Sequence, residues 1–573
     1  RLVGKDANSA YGNKVMRLPE NKSQLLKKVI QLIDDCRVSM GDRANLCSTL
    51  RQWKYTGSPE GDTAIYNRLE SHIDRMSSYL YSPLDLRFLM EFENEYPEDI
   101  LKMSEAGSRY LTKSLERNDI DMMFGDGLDE ALTNGSSIMK LMWGHDGLKA
   151  KIIPQFNFGV YKEDLNDLDQ QEALLETSYI TIHELWRRIS HLPDAADIYK
   201  RAKAHAKSST DVSEASYFHS VVLAGSGPSV DTTNGTTPNS VGGTVAIDVN
   251  SVGPILSPET RMNLITFHEL TVVDDATGDY TTIQFVEPDI IITPRLKKHN
   301  LFLKGEHPYI MIQPNAVSNY AWGRSEMAPM LKLQALLRDR MEDIKKLMGL
   351  QYDRLLAFIG FDGMNDDMYD AFKEAGFISQ SSPGAKVEDL TPKLPDAAFQ
   401  DVNEILRFMD DVSGFQNILS GQGEQGVRSG SHAQTLMKTA SPRMRDRATL
   451  VERQCANMGN KAFELLRTKE ARTLWYDTGE DEKKEFLLTS IPDDYRVIVD
   501  SHSSSPIYEQ DHQQLALVLL KAGIIEGDSA MDLIQSLPMR DLLKSRYKIM
   551  QQKKAQMIKE HPELLTKGKT GRK

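Results

Sequence analysis

The residues from Trp322 to Gln434 constrain this chain more than any other stretch. They read as a helix, a loop-rich insert, a second helix, and a glycine-rich loop opening a third helix. The first helix is expected from about 325 to 354. Met330, Leu333, Leu337, Met341, Ile344 and Met348 recur at spacings of three and four and lay one apolar stripe along it. Arg338, Arg340, Glu342, Lys345 and Lys346 take the other faces. At a rise of ~1.5 Å per residue such a helix is about 45 Å long. The second helix is expected over 395–412, with Phe399, Val402, Leu406, Met409 and Val412 on one side. The insert, 357–394, carries Gly360, Gly363, Gly376, Pro383, Gly384 and Pro392. It is too long for a turn and is expected to be a small lobe. Residues 413–432 follow and end in GQGEQGVRSGSH.

This order of elements resembles the stem, clip, second stem and tunnel loop of tailed-bacteriophage portal proteins, the head-to-tail connectors. The matching residues are Gly323–Arg324–Ser325 ahead of the first helix and Ser429–Gly430–Ser431–His432–Ala433 ahead of a long one. No single motif is diagnostic; the specificity lies in the sequence of elements, which continues over most of the chain. The resemblance implies an α+β, mainly α fold: an elongated subunit with wing, stem, clip and helical crown, assembling as a ring. The implied divisions are a wing at 1–324 with an insert at about 207–258, stem helix 1 at 325–356, the clip at 357–394, stem helix 2 at 395–412, the tunnel loop at 413–432, a kinked long helix with the rest of the wing at 433–527, and the crown with a basic tail at 528–573.

At 573 residues the chain is too long for one ordinary core. Its 40% hydrophobic and 26% charged content are those of a soluble protein. Lys and Arg number 69 against 82 Asp and Glu, a net charge of −13. Gripping DNA phosphates calls for basic patches, so this balance suits a conduit in which DNA slides without sticking; on charge alone, a plain soluble acidic protein fits better. Cys36, Cys47 and Cys455 are too few for a disulfide framework or a cysteine zinc cluster, which points to a reducing compartment. No run long and apolar enough for a membrane span and no signal peptide is visible. The chain begins at Arg1 rather than Met, so a few preceding residues are expected.

Along the chain, residues 1–17 read as a polar arm and Leu25–Ile33 as helical. In 65–81, Ile65, Leu69, Ile73, Met76 and Leu80 share one helix face. Ile120–Leu132 is amphipathic and stops at Asn134–Gly135. A strand over 136–143, a turn at 144–147 and a strand from 150 form a hairpin; 173–180 is a further strand. Thr181 and Glu184 make a capping box for a helix expected to turn Leu185, Trp186 and Ile189 inward. Residues 207–258 are rich in Ser, Thr, Gly and Asn and read as a surface loop or a partner contact, with one short strand at 244–249. A hairpin occupies 263–303. Residues 433–468 read as a long helix kinked at Pro442. Strand patterns return over 485–500, then helices at 510–522 and 529–558.

Several strings imitate chemistry. Gly421, Gly423 and Gly426 spell a dinucleotide fingerprint, but that motif needs a strand before it and a βαβ unit around it. His183–Glu184 and His268–Glu269 lack a second histidine four residues on and read as structural. Asp366–Asp367 and Asp410–Asp411 read as solvated surface pairs, and no P-loop or nucleophile elbow occurs. Arg443, Arg445 and Arg447 face either DNA or a neighbouring subunit's carboxylates.

The resemblance implies a dodecameric ring at one capsid vertex, through which a terminase motor packages double-stranded DNA and from which the DNA is later ejected. No catalysis, cofactor or metal is expected of the chain. Gln422, Gln425, Arg428, Ser429, Ser431 and His432 are the expected tunnel-loop contacts to DNA, sequence-blind and weak; an exposed linker is the plainer reading. Leu333, Leu337, Met341, Ile344, Met348, Val402, Leu406 and Met409 are expected to pack the stem. Asp362, Asp366, Tyr369, Lys373, Lys386 and Glu388 of the clip are expected to dock terminase, then a head-completion or tail adaptor. Major capsid and scaffolding proteins are further implied partners. A different structural ring of the virion, or a dinucleotide enzyme, are the alternatives.

Overall fold

The first helix, α1 (Lys22–Met40), starts where the Asn21 side chain accepts a hydrogen bond from the Ser23 backbone N–H and stops at Gly41. Its buried stripe of Leu25, Val29, Leu32, Ile33 and Cys36 covers one face of a sheet. This computed structural model describes residues 18–41, 43–59, 64–83, 87–144, 147–206, 264–274, 278–293, 305–352, 356–359, 384, 386–392, 398–414, 442–470, 472–477, 483–499 and 518–521. The expected insert at 207–258, the crown and most of the clip lie outside them.

In order follow α2 (Arg43–Thr56), α3 (Arg68–Leu80), β1 (Phe88–Phe92), α4 (Glu98–Arg117), α5 (Ile120–Asn134), β2 (Ser137–Gly144), β3 (Gly147–Ile153), β4 (Phe158–Val160), β5 (Ala173–Thr181), α6 (Ile182–Ile189) and α7 (Ala195–Ala204). Then come β6 (Leu264–Asp274), β7 (Asp279–Val286), β8 (Ile290–Thr293), β9 (Tyr309–Ile312), α8 (Leu331–Tyr352), β10 (Leu356–Ile359), β11 (Lys386–Asp389), α9 (Ala398–Ser413), α10 (Pro442–Lys469), β12 (Thr473–Asp477), β13 (Lys483–Leu487) and β14 (Tyr495–Val499). The fold is mixed α+β with helix predominating. Among the described residues every strand pairing is antiparallel, and no helix is long and apolar enough to cross a membrane.

The largest sheet has the order β4–β5–β6–β7–β8. Strand alternation gives it two faces. Ala173, Leu175, Leu270, Val272, Ile283 and Phe285 face α1. Gly159 on β4 permits that contact, because a Cβ there would sit 2.6 Å from the Cys36 carbonyl oxygen. On the other face, Ile265, Phe267 and Val286 meet Leu185, Ile189 and Ile198 of α6 and α7. That face also puts Glu176 directly opposite Glu269, two like charges that repel in this register. Lys140 of β2 sits between them, 2.6 Å from Glu176 and also paired with Glu269. Lys151 reaches Glu176 at 3.2 Å, and the Tyr309 hydroxyl donates to Glu176 at 3.2 Å. This buried network joins the large sheet to the sheet β3–β2–β9. Burial opposes charge on Lys140, yet Tyr309, Glu269 and Glu176 hold its pKa above the ordinary value.

The main core gathers α3, α4, α5, β2, α10 and the base of α8. Here β1 pairs with β14 across some four hundred residues of sequence, Phe88 against Val499. The strands β1, β9 and β12 and the helices α2, α4 and α7 are not among the expected elements. Ile65, expected on the buried face of α3, is exposed, since α3 begins at Arg68 after an Asn67 cap. Trp186 is likewise exposed, resting its ring against the edge of Tyr199. The Thr181 cap is present: its hydroxyl accepts from the Glu184 backbone N–H at 3.1 Å. The three cysteines are free and buried, and burial pushes the Cys36 thiol up to about 12.

Candidate functional site

The site is a pair of helices joined by a ribbon. Arg340 of α8 reaches Asp401 of α9 at 2.9 Å, while Gln334 lies near Asp410 through their shared partner Arg68. Numbering therefore rises along one helix as it falls along the other, and the pair is antiparallel. At its far end β10 pairs with β11, Leu356 against Asp389.

Helix α8 begins at Leu331 rather than at 325 because residues 323–327 are used otherwise. Ser325 Oγ donates to the Thr133 carbonyl at 2.6 Å, and the Glu326 N–H donates to the Leu132 carbonyl at 2.9 Å. Both carbonyls belong to the last turn of α5, whose end groups need such partners. Gly135, at φ 100°, and Gly323 pack backbone to backbone: a Cβ on Gly135 would lie 2.3 Å from the Gly323 oxygen. Glu326 then meets Arg447 of α10 and Asn315. Burial opposes its charge, but His72, Arg447 and Asn315 hold its carboxyl below the usual range.

A clamp fixes the base of the pair. Gln334, fully buried, accepts from the Arg68 N–H at 3.1 Å and donates to the Tyr66 carbonyl at 2.8 Å. Arg338 donates to Ser58 Oγ at 2.8 Å, and Arg68 pairs with Asp410 at 2.8 Å. Leu337, Ile344, Ile405 and Met409 are buried, and Leu337, Ile405 and Met409 join the main core. Leu333, Met341, Val402 and Leu406 are half-buried around them. Met348, expected in this stripe, is 41% exposed. Ile405 and Gln334 are buried and absent from the expected set. An i+4 step to Met409 could have revealed Ile405; Gln334 carries no apolar signal at all.

The outer faces are the notable feature. Leu336, Leu350, Phe399 and Phe408 are exposed, the phenylalanines at 52% and 48%, and Tyr352 at the tip is 84% exposed. The charges divide by helix. Helix α8 carries five bases against three acids, whereas α9 carries four acids, Asp401, Glu404, Asp410 and Asp411, against Arg407. A groove of about 740 Å³ runs beside Ile344 and Leu347, with Arg340 and Lys346 on one side and Asp401 and Glu404 on the other.

Of the expected clip residues, Lys386 and Glu388 lie on β11 and pair with each other. Asp362, Asp366, Tyr369 and Lys373 lie outside the described residues. So do Gln422, Gln425, Arg428, Ser429, Ser431 and His432, with Gly421, Gly423 and Gly426. The described element before that string is the helix α9, not a strand. Pro442 is the first described residue of α10, and the stretch before it, across which the kink is expected, lies outside the described residues. Arg447 is a correction: it is buried and spends its charge within the chain on Glu326. His268 is buried against Thr177 and Glu287, and Asp410 is ion-paired rather than free.

No family model matches the sequence, and no curated protein matches it.

Proposed function

We propose that this chain is the subunit of a portal-type ring, a conduit for double-stranded DNA at one vertex of a tailed-phage capsid. The observation that carries the reading is the helix pair α8/α9, which buries one seam and leaves Leu336, Leu350, Phe399 and Phe408 exposed on its outer faces. A two-helix hairpin has no core to cover such residues, and exposed apolar faces of this kind seek a protein neighbour. The opposite charge of the two helices supports side-by-side packing, with α8 of one copy against α9 of the next. A contact between two different faces is heterologous and closes into a ring when its rotation allows.

In this reading the stems line the channel and the ribbon end docks terminase during packaging and an adaptor afterwards. The capsid and scaffolding proteins surround the wing. The loop with Gln422, Gln425, Arg428, Ser429, Ser431 and His432 touches passing DNA; few cations suit sliding, because many phosphate contacts release many counterions and stall transport. Arg428→Glu is expected to slow packaging without affecting assembly.

The test is the mass of the purified full chain by light scattering, with negative-stain images of the same sample. Rings with a central hole support the proposal, as does their loss in Phe399→Ser/Phe408→Ser when the far-UV spectrum and melting are unchanged. Rings unaffected by that double variant, or a chain that stays monomeric with scaffold protein present, refute it.

A further inference from the structure

Helix α4 carries opposite chemistry at its two ends. Glu91, Glu93 and Glu95 ahead of its first turn are exposed, as are Glu98 and Asp99 within it, Glu98 pairing with Lys102 at 2.8 Å. Leu89 and Leu101 flank them, at 44% and 49% exposure. Asn94 Nδ2 and the Tyr96 hydroxyl each donate to Asp494 at 2.7 Å and tie this corner to the residue before β14. At the other end, the last turn of α4 walls a cleft of about 500 Å³ whose remaining walls are the β2–β3 hairpin, the end of α10 and β12.

Lys113 and Arg117 project from that turn, exposed, and neither has an ion-pair partner among the described residues. Among the described lining residues one carboxylate, Glu470, stands against the cations Lys113, Arg117 and Arg472. The cleft is therefore cationic. Trp143 and Leu148 give it an apolar wall, and Trp475, 57% exposed, stands at its rim. Trp475 is outside for a reason of register: the β12–β13 ribbon turns Tyr476 and Phe486 into the core, which forces Trp475 and Leu487 onto the open face. Cations on a C-terminal turn suit the helix dipole, but that does not account for an open aromatic cleft beside them.

The two patches complement each other in charge and in apolar content. The 20 residues of α4 hold them about 30 Å apart, so they cannot meet within one copy. We propose that the Leu89–Leu101 corner of one copy docks in the Trp143–Trp475 cleft of the next, a head-to-tail contact. It deepens the ring reading and rests on it: this is a second heterologous interface, in the wing, that would set the spacing of subunits independently of the stem.

The experiment uses full-length chains. Lys113→Glu/Arg117→Glu and Glu93→Lys/Glu95→Lys each place like charges across the contact, and each is expected to raise the concentration for half-assembly about tenfold or more. The chain carrying all four substitutions is expected to recover to within about threefold of wild type, since the pairing is restored in reverse. Trp475→Ala is expected to weaken assembly while its melting stays unchanged. Sedimentation velocity reads all of these. Rings that form as in wild type in both charge-reversed chains overturn this contact and leave the ring reading intact. Open chains of wild type, lost in the charge-reversed variants, support the contact and overturn the closed ring. A wild type monomeric at every concentration, with scaffold protein present, overturns both.

Discussion

The Arg447 guanidinium grips the Glu326 carboxylate with both terminal nitrogens, Nη1 at 3.0 Å from Oε1 and Nη2 at 2.9 Å from Oε2. Both residues are buried, so this pair ties α10 to the approach of α8 in a place where water cannot replace either partner. Arg447→Met strands a buried carboxylate and is expected to cost about 3–5 kcal/mol. Arg447→Lys is expected to recover only part of that, because an ammonium cannot bond both oxygens in the plane. Urea unfolding of the unassembled chain measures both. A loss below about 1 kcal/mol for Arg447→Met would show that Glu326 finds another partner.

Lys140 keeps Glu176 and Glu269 apart electrostatically while joining two sheets. Lys140→Met is expected to leave two carboxylates facing each other across a ladder and to lower the melting temperature at pH 7 more than at pH 4, where protonation relieves the repulsion. Equal losses at both pH values would mean that packing of the lysine stem, not its charge, is what counts.

Gly135 and Gly323 touch through their backbones, so either alanine variant must move main chain rather than a side chain. Gly323→Ala places a Cβ 2.2 Å from the Gly135 oxygen. The expected cost exceeds the ~1 kcal/mol typical of an unsuitable glycine replacement. Because this contact seats α8, the variant should also lose assembly. A variant with unchanged melting would show that residues 321–326 can shift without cost.

Acid should weaken the fold in two stages. Burial, against the pull of Glu287, lowers the pKa of His268, and burial with Lys461 lowers that of His307. The unfolded histidines take protons near ~6.5 while the folded ones resist, so their contribution is complete above that pH and is lost as pH falls below it. Burial opposes ionisation of Glu287, but His268 and Arg37 hold its carboxyl down at about 2. Its contribution is complete above the ordinary value of 4.5 and fades as pH falls toward 2. Melting temperature followed from pH 8 to 2 should fall in both windows, and Glu287→Gln should flatten the lower one. A curve level from pH 7 to 4.5 would contradict the role given to the histidines.

Local pattern determined the helices α1, α3, α5, α8 and α9, the hairpin β2–β3 and the stop at Gly135, because each rests on spacing or a turn residue within one short segment. Leu337, Ile344 and Met409, which stand in the apolar stripes, are buried, since a helix stripe needs a partner wherever that partner lies. Only the tertiary structure decided what depends on distant partners. Gln334 is buried because Arg68 and Tyr66 supply its hydrogen bonds, and Arg447 is internal because Glu326 awaits it. Phe88 faces Val499 through a pairing that no local pattern encodes. Met348 and Phe399 carry the same apolar signal as Leu337 and Met409, yet they are exposed, and nothing local in the sequence tells them apart.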